Sequence, residues 1–142
     1  MKLDIDRAFY SYLHMTYRQK LEEAHKSIGL LADFLVKYDF SEKDRVGFYL
    51  NLAKLFIAAD AEASLQECKA FNDIFGTNIS YKSFKEFVAN GNEKSFIESM
   101  NKFIDLMDDK AKLGACSFGL VFLSVDGHLS DKEKEVFNLI LE

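Results

Sequence analysis

Proline is absent from the 142 residues, and glycine occurs only seven times. A fold of many short strands needs frequent turns, and turns draw heavily on both residues. The chain therefore reads as all-helical before any periodicity is considered. Tryptophan is absent as well, and cysteine is limited to Cys68 and Cys116, far apart and without a metal-binding spacing. Two such cysteines point to a reducing compartment rather than to a secreted disulfide scaffold. Long apolar runs are missing too. The most apolar stretch, residues 113–125, holds 13 residues. That is too short to span a bilayer and reads as a buried helix, so no direct membrane insertion is expected. The opening residues carry Asp4 and Asp6 and no apolar core of a secretory leader. A cytoplasmic location is the expectation.

What remains is enough for one domain. Hydrophobic residues make up 49% of the chain, so a core can be buried, and phenylalanine, at fourteen, is its main bulk. Net charge is −5, with Lys and Arg scattered among a larger number of acids. A nucleic-acid-binding domain usually carries a basic stripe. None is visible here, and no nucleic-acid partner is expected.

Apolar residues at Ile5, Phe9, Tyr12, Leu13 and Tyr17 have helical spacing, and so do Leu21, Ala24, Ile28, Leu31, Leu35 and Tyr38. No strong breaker separates the sets, which leaves two helices or one long bent one. Beyond them the punctuation is sharper. Ser41 caps a helix over about residues 42–59, with Val46, Tyr49, Leu50, Ala53, Phe56 and Ile57 inward. Ser64 and Glu67 form a capping box for a helix ending near Phe75. Ser80 starts a short helix, and Asn90-Gly91-Asn92 is a turn. Helices follow over about residues 93–107 and 109–125, the second apolar almost all round and hence central. Its Phe118, Val121, Phe122 and Val125 should be buried, and Gly114, Ala115, Ser117 and Gly119 should admit close neighbours. A second capping box, Ser130 with Glu133, opens the last helix. About seven helices result, in one domain over residues 1–142.

The capping boxes belong to a longer repeat. Residues 60–74 align without gaps on residues 126–140, at an offset of 66, with six of fifteen positions identical. Phe56 matches Phe122 upstream. Each copy is an apolar helix, a turn at Asp, and a capped amphipathic helix. Two copies are too few for a solenoid, so the pattern predicts a compact bundle with two pseudo-symmetric helix-turn-helix units, about 52–75 and 118–141.

An apolar helix, Asp-Gly, then Ser-x-x-Glu with an apolar helix behind it resembles the TerB-like family, which includes tellurite-resistance TerB and the N-terminal domain of the co-chaperone DjlA. The resemblance rests on residues 52–75 and 114–141 and is clearest at residues 125–133; the first copy departs from it at Ala61, where the motif favours glycine. It implies an all-helical fold with the two units packed together and a cytoplasmic role linked to stress. It also implies metal ions or protein partners, membrane-associated ones among them, and no established catalytic activity.

Acidic charge gathers on the repeat. Residues 58–75 hold four acids and one lysine, net −3, and residues 126–142 hold five acids and two lysines, also −3. Asp60, Glu62, Glu67, Asp126, Asp131 and Glu133 are therefore candidate ligands for a divalent cation if the two turns converge. The competing reading is capping, because an acid at a helix start satisfies free N–H groups and suits the helix dipole. Residues 126–133 also match the back half of an EF-hand loop. The front half fails, since its first ligand positions fall on Phe122 and Ser124 and calcium needs six to eight oxygens. His14, His25 and His128 have no third ligand in register, and the cysteines read as small core residues. No phosphate-binding loop, nucleophile elbow or zinc-protease signature occurs, so no enzyme is expected. Tyr10 lies off the Ile5-Phe9-Leu13 stripe and is the best candidate for an interface anchor. The function expected is a non-enzymatic interaction or sensing module in a stress pathway; the alternative is a divalent-metal-binding protein using the acidic turns.

Overall fold

A computed structural model describes residues 3–59 and 63–142. Among them there are eight α-helices and no strand: α1 (Ile5–Leu13), α2 (Tyr17–Lys37), α3 (Glu42–Ile57), α4 (Leu65–Phe75), α5 (Tyr81–Ala89), α6 (Lys94–Leu106), α7 (Asp109–Asp126) and α8 (Asp131–Leu141). The all-helical reading holds; the count of seven does not. The first two apolar sets are separate helices because Thr16 and Gln19 form a capping box. The Gln19 amide donates to Thr16 Oγ1 at 3.1 Å, and the Thr16 amide donates to Gln19 Oε1 at 2.8 Å. A cap of this kind starts a new helix even without Gly or Pro upstream, because it satisfies amides that have no partner within the helix.

Most other helix starts follow the same physics. Asp4, Ser41, Ser64, Ser80, Asp108 and Ser130 each accept an amide hydrogen bond from the first turn of their helix. Glu93 makes no side-chain cap for α6. α7 stops at Gly127, whose φ of 76° lies in the left-handed region where a side chain would be strained.

α7 is the axis of the fold and touches α1, α2, α3, α4 and α8. Phe118, Val121 and Phe122 are buried as expected; Val125 is only partly so, because the end of α7 opens onto a cleft. The small residues of α7 do admit close neighbours. A Cβ at Gly114 would lie 2.9 Å from the Ser27 carbonyl oxygen of α2, and one at Gly119 would lie 2.5 Å from the Phe56 ring of α3. The second half of α3 is buried all round, Lys54 included, and the Lys54 ammonium sits 4.3 Å from the ring centres of both Phe87 and Phe96. Inward positions Tyr49, Ala53, Phe56 and Ile57 are buried, whereas Val46 and Leu50 are only partly covered. No helix among the described residues is long and apolar enough to cross a membrane.

Candidate functional site at the two acidic turns

The turns leading into α4 and α8 are built alike. Ser64 Oγ accepts the Glu67 amide at 3.1 Å while Glu67 Oε1 accepts the Ser64 amide at 2.7 Å. Ser130 Oγ accepts the Glu133 amide at 3.1 Å while Glu133 Oε1 accepts the Ser130 amide at 2.8 Å. Capping glutamates usually face water. These two do not: Glu67 and Glu133 are each only 2% exposed.

Burial is costly for a carboxylate, because the charged form loses its hydration. Glu67 is accordingly pushed up to about 7, first by burial. The Ser64 amide and hydroxyl pull it down, and the negative charges of Asp126 and Glu133 push it up further. α4 and α8 each pack against α7, which carries Asp126 at its end.

The predicted ligand set divides accordingly. Glu67, Glu133 and Asp126 share one electrostatic neighbourhood. Asp131 does not join them; its side chain is 99% exposed and pairs with Lys134 at 3.8 Å. Position 131 is the first residue of α8 and turns its side chain away from the buried face that carries Glu133. Asp60 and Glu62 lie outside the described residues. Among the described residues, no group of three or more His, Cys, Asp and Glu side chains is placed to hold a metal ion.

Asp126 needs a correction of a different kind. A capping role at a turn was one reading of this acid. It is instead the last residue of α7, at the negative end of the helix dipole, where an acid is unfavourable. The helix ends at Gly127, whose amide donates to the carbonyls of Leu123 and Ser124. Asp126 is not needed for that stop.

The remaining candidates take structural places. His14 Nδ1 lies 2.9 Å from the Tyr10 carbonyl oxygen, and its ring lies 4.3 Å from that of Tyr10. Burial pushes the Cys116 thiol up to about 12 and raises that of Cys68, so neither is a ready thiolate. Tyr10 is 65% exposed, the most open of the large apolar side chains among the described residues.

Two buried lysines escaped the sequence reading. Lys20 reaches across from α2 and donates to the Ser124 carbonyl at 3.0 Å, near the end of α7. Its signal was present: Lys20, Ala24, Ser27 and Leu31 share one helical face, and all four are buried. A lone lysine in such a register marks a buried ammonium. Lys54 sits in α3 by the same logic.

No known family model, curated protein or solved structure matches this chain.

Proposed function

We propose that this protein is a non-enzymatic interaction or sensing module of TerB-like type, working in a cytoplasmic stress response through a protein partner. The observation that carries it is the open face of α1, where Tyr10 and Leu13, one turn apart, leave aromatic and aliphatic surface exposed. Such side chains anchor interfaces, since they give large contact area for little lost freedom. The helix-turn-helix units at about 52–75 and 118–141 are taken as a pseudo-twofold pair. Reciprocal aromatic contacts support that pairing: Phe56 meets Phe137 at 4.7 Å, and Phe122 meets Phe71 at 6.1 Å.

A photo-crosslinking side chain at position 10 tests the proposal in the native host, with position 102 on the exposed face of α6 as control. The expected result is a discrete adduct from position 10, absent from position 102 and lost when Leu13→Asp is added. The same adducts from both positions would remove the support for an α1 interface.

A second reading, divalent-cation binding, is favoured by one specific observation. Glu67, Glu133 and Asp126 concentrate negative charge, with two of the carboxylates buried and the third at the wrong end of a helix dipole. A cation there would offset the repulsion that Asp126 and Glu133 exert on Glu67. Melting in EDTA, then in Ca²⁺, Mg²⁺ or Zn²⁺, tests it; only a chelator-reversible rise that is lost in Glu67→Gln supports it.

A further inference from the structure

Beside the acidic turns, a cleft of about 340 Å³ opens between α2, the start of α4 and the end of α7, lined by Tyr17, Lys20, Gln66, Lys69 and Val125. Its two polar walls are each one helical turn. Tyr17 and Lys20 are three apart on α2, and Gln66 and Lys69 are three apart on α4, so each pair faces the cleft together.

The charges in the cleft are unequal in their satisfaction. Lys69 is balanced: its ammonium lies 2.7 Å from Asp73 Oδ2 and 4.5 Å from the centre of the Tyr17 ring. Tyr17 donates to the same Asp73 oxygen at 2.5 Å. Lys20 is not balanced. The residue is only 8% exposed, yet its hydrogen-bond partner is the neutral Ser124 carbonyl, and among the described residues no carboxylate pairs with it. An ammonium carries three donors. One goes to Ser124, which leaves two for whatever occupies the cleft. Capping of α7 accounts for the first bond and leaves the charge without a counter-ion. Burial lowers the affinity of Lys20 for its proton, as expected of an ammonium short of compensation.

We propose that this cleft binds a small organic monocarboxylate with an apolar body. One unbalanced positive charge calls for one negative charge. The Lys20 ammonium takes the carboxylate, and the Gln66 amide is the neighbouring donor that fixes its orientation. Val125 and the open part of the Tyr17 ring form the apolar wall for the body of the ligand. The cleft is near the lower end of volumes for small-molecule sites, which suits a ligand of benzoate size. This inference is independent of both the α1 interface and the cation reading.

Sodium benzoate is the probe, followed by amide chemical-shift changes in the full-length protein, with benzyl alcohol and inorganic phosphate as parallel arms. Benzoate is expected to saturate with a millimolar or tighter dissociation constant, shifting Lys20, Gln66 and Val125. Benzyl alcohol, without the charge, and phosphate, without the apolar body, should each bind at least about tenfold more weakly, a difference of about 1.4 kcal/mol. Lys20→Met should weaken benzoate by about tenfold or more, the same step. Gln66 is exposed, so Gln66→Trp should fill the cleft and abolish binding while the fold is kept. Should Lys20→Met fail to fold, Gln66→Trp decides. The proposal is overturned by an absence of saturable benzoate shifts, by phosphate or benzyl alcohol binding as tightly as benzoate, or by undiminished benzoate binding in either folded variant.

Discussion

The ring of Phe56 stacks 4.7 Å from that of Phe137, and the same ring fills the space that a Cβ at Gly119 would claim. One side chain of α3 therefore holds α8 on one side and sets how closely α7 can approach on the other. Gly119→Ala puts a methyl 2.5 Å from the Phe56 ring, and overpacking of this kind typically costs about 1–3 kcal/mol. Phe56→Leu on top of Gly119→Ala should recover part of that loss. Urea denaturation of the two single variants and the double variant measures the coupling, and additive losses would show that the contact does not limit α7.

Phe122 is wholly buried between Phe118, at 4.9 Å, and Phe71, at 6.1 Å. Phe122→Ala should cost about 3–5 kcal/mol. A loss below about 1 kcal/mol in chemical denaturation would place the core elsewhere.

Glu67 gives the protein a pH dependence of definite sign. Its folded value, about 7, stands above the ordinary 4.5, so between these values the folded state holds a proton that the unfolded state has released. Stability from this group is fully present below about pH 4.5 and is lost as pH rises through about 7, by up to about 3 kcal/mol in all. Glu67→Gln keeps an acceptor for the Ser64 amide and does not titrate. Denaturation at pH 5 and pH 8 should show wild type losing stability and Glu67→Gln holding it; parallel losses would exonerate Glu67.

Asp126 opposes the dipole of its own helix. Asp126→Asn should stabilise the protein by about 0.3–1 kcal/mol at low salt. It should also move the Glu67 transition to lower pH, because one of the charges that raises it is gone. An unchanged melting curve at low ionic strength would count against both effects.

Ser64→Ala and Ser130→Ala should each cost about 0.5–2 kcal/mol, with or without added metal. Capping explains the hydrogen bonds of Glu67 and Glu133, so Ca²⁺, Mg²⁺ and Zn²⁺ are expected to leave the melting temperature unchanged. A bound cation behaves differently, raising stability by about 2.7 kcal/mol at a hundredfold excess over its dissociation constant. That rise, reversed by chelator, would put cation binding ahead of capping.

Local signals were legible in the sequence where they are strong. The boxes at Ser64 and Ser130 start their helices as the spacing predicts, and the apolar run of α7 is the buried centre. The Thr16–Gln19 box has the same chemistry but no Gly or Pro beside it, and the apolar spacing runs on across it; the break between α1 and α2 was therefore invisible to periodicity. At the candidate site, spacing identified the acids but not their depth. Whether Glu67 is buried and Asp131 is not depends on which face of α4 and α8 meets α7, a tertiary matter. Lys20 was hidden by its type: a lysine is normally assigned to solvent, and only its register with Ala24, Ser27 and Leu31 says otherwise.

The central position of α7 also governs the order in which this molecule can be made. α1, α2, α3 and α4 all rest on a helix that begins only at Asp109. During synthesis the chain emerges from its N-terminal end, so these helices exist before the surface they enclose. Their apolar faces, Leu31 and Leu35 on α2 and Phe56 on α3 among them, stay uncovered until α7 arrives to fill the space between them. Newborn chains halted before that point should therefore be sticky clients for chaperones, and the arrival of α7, followed by α8, is what lets these faces close.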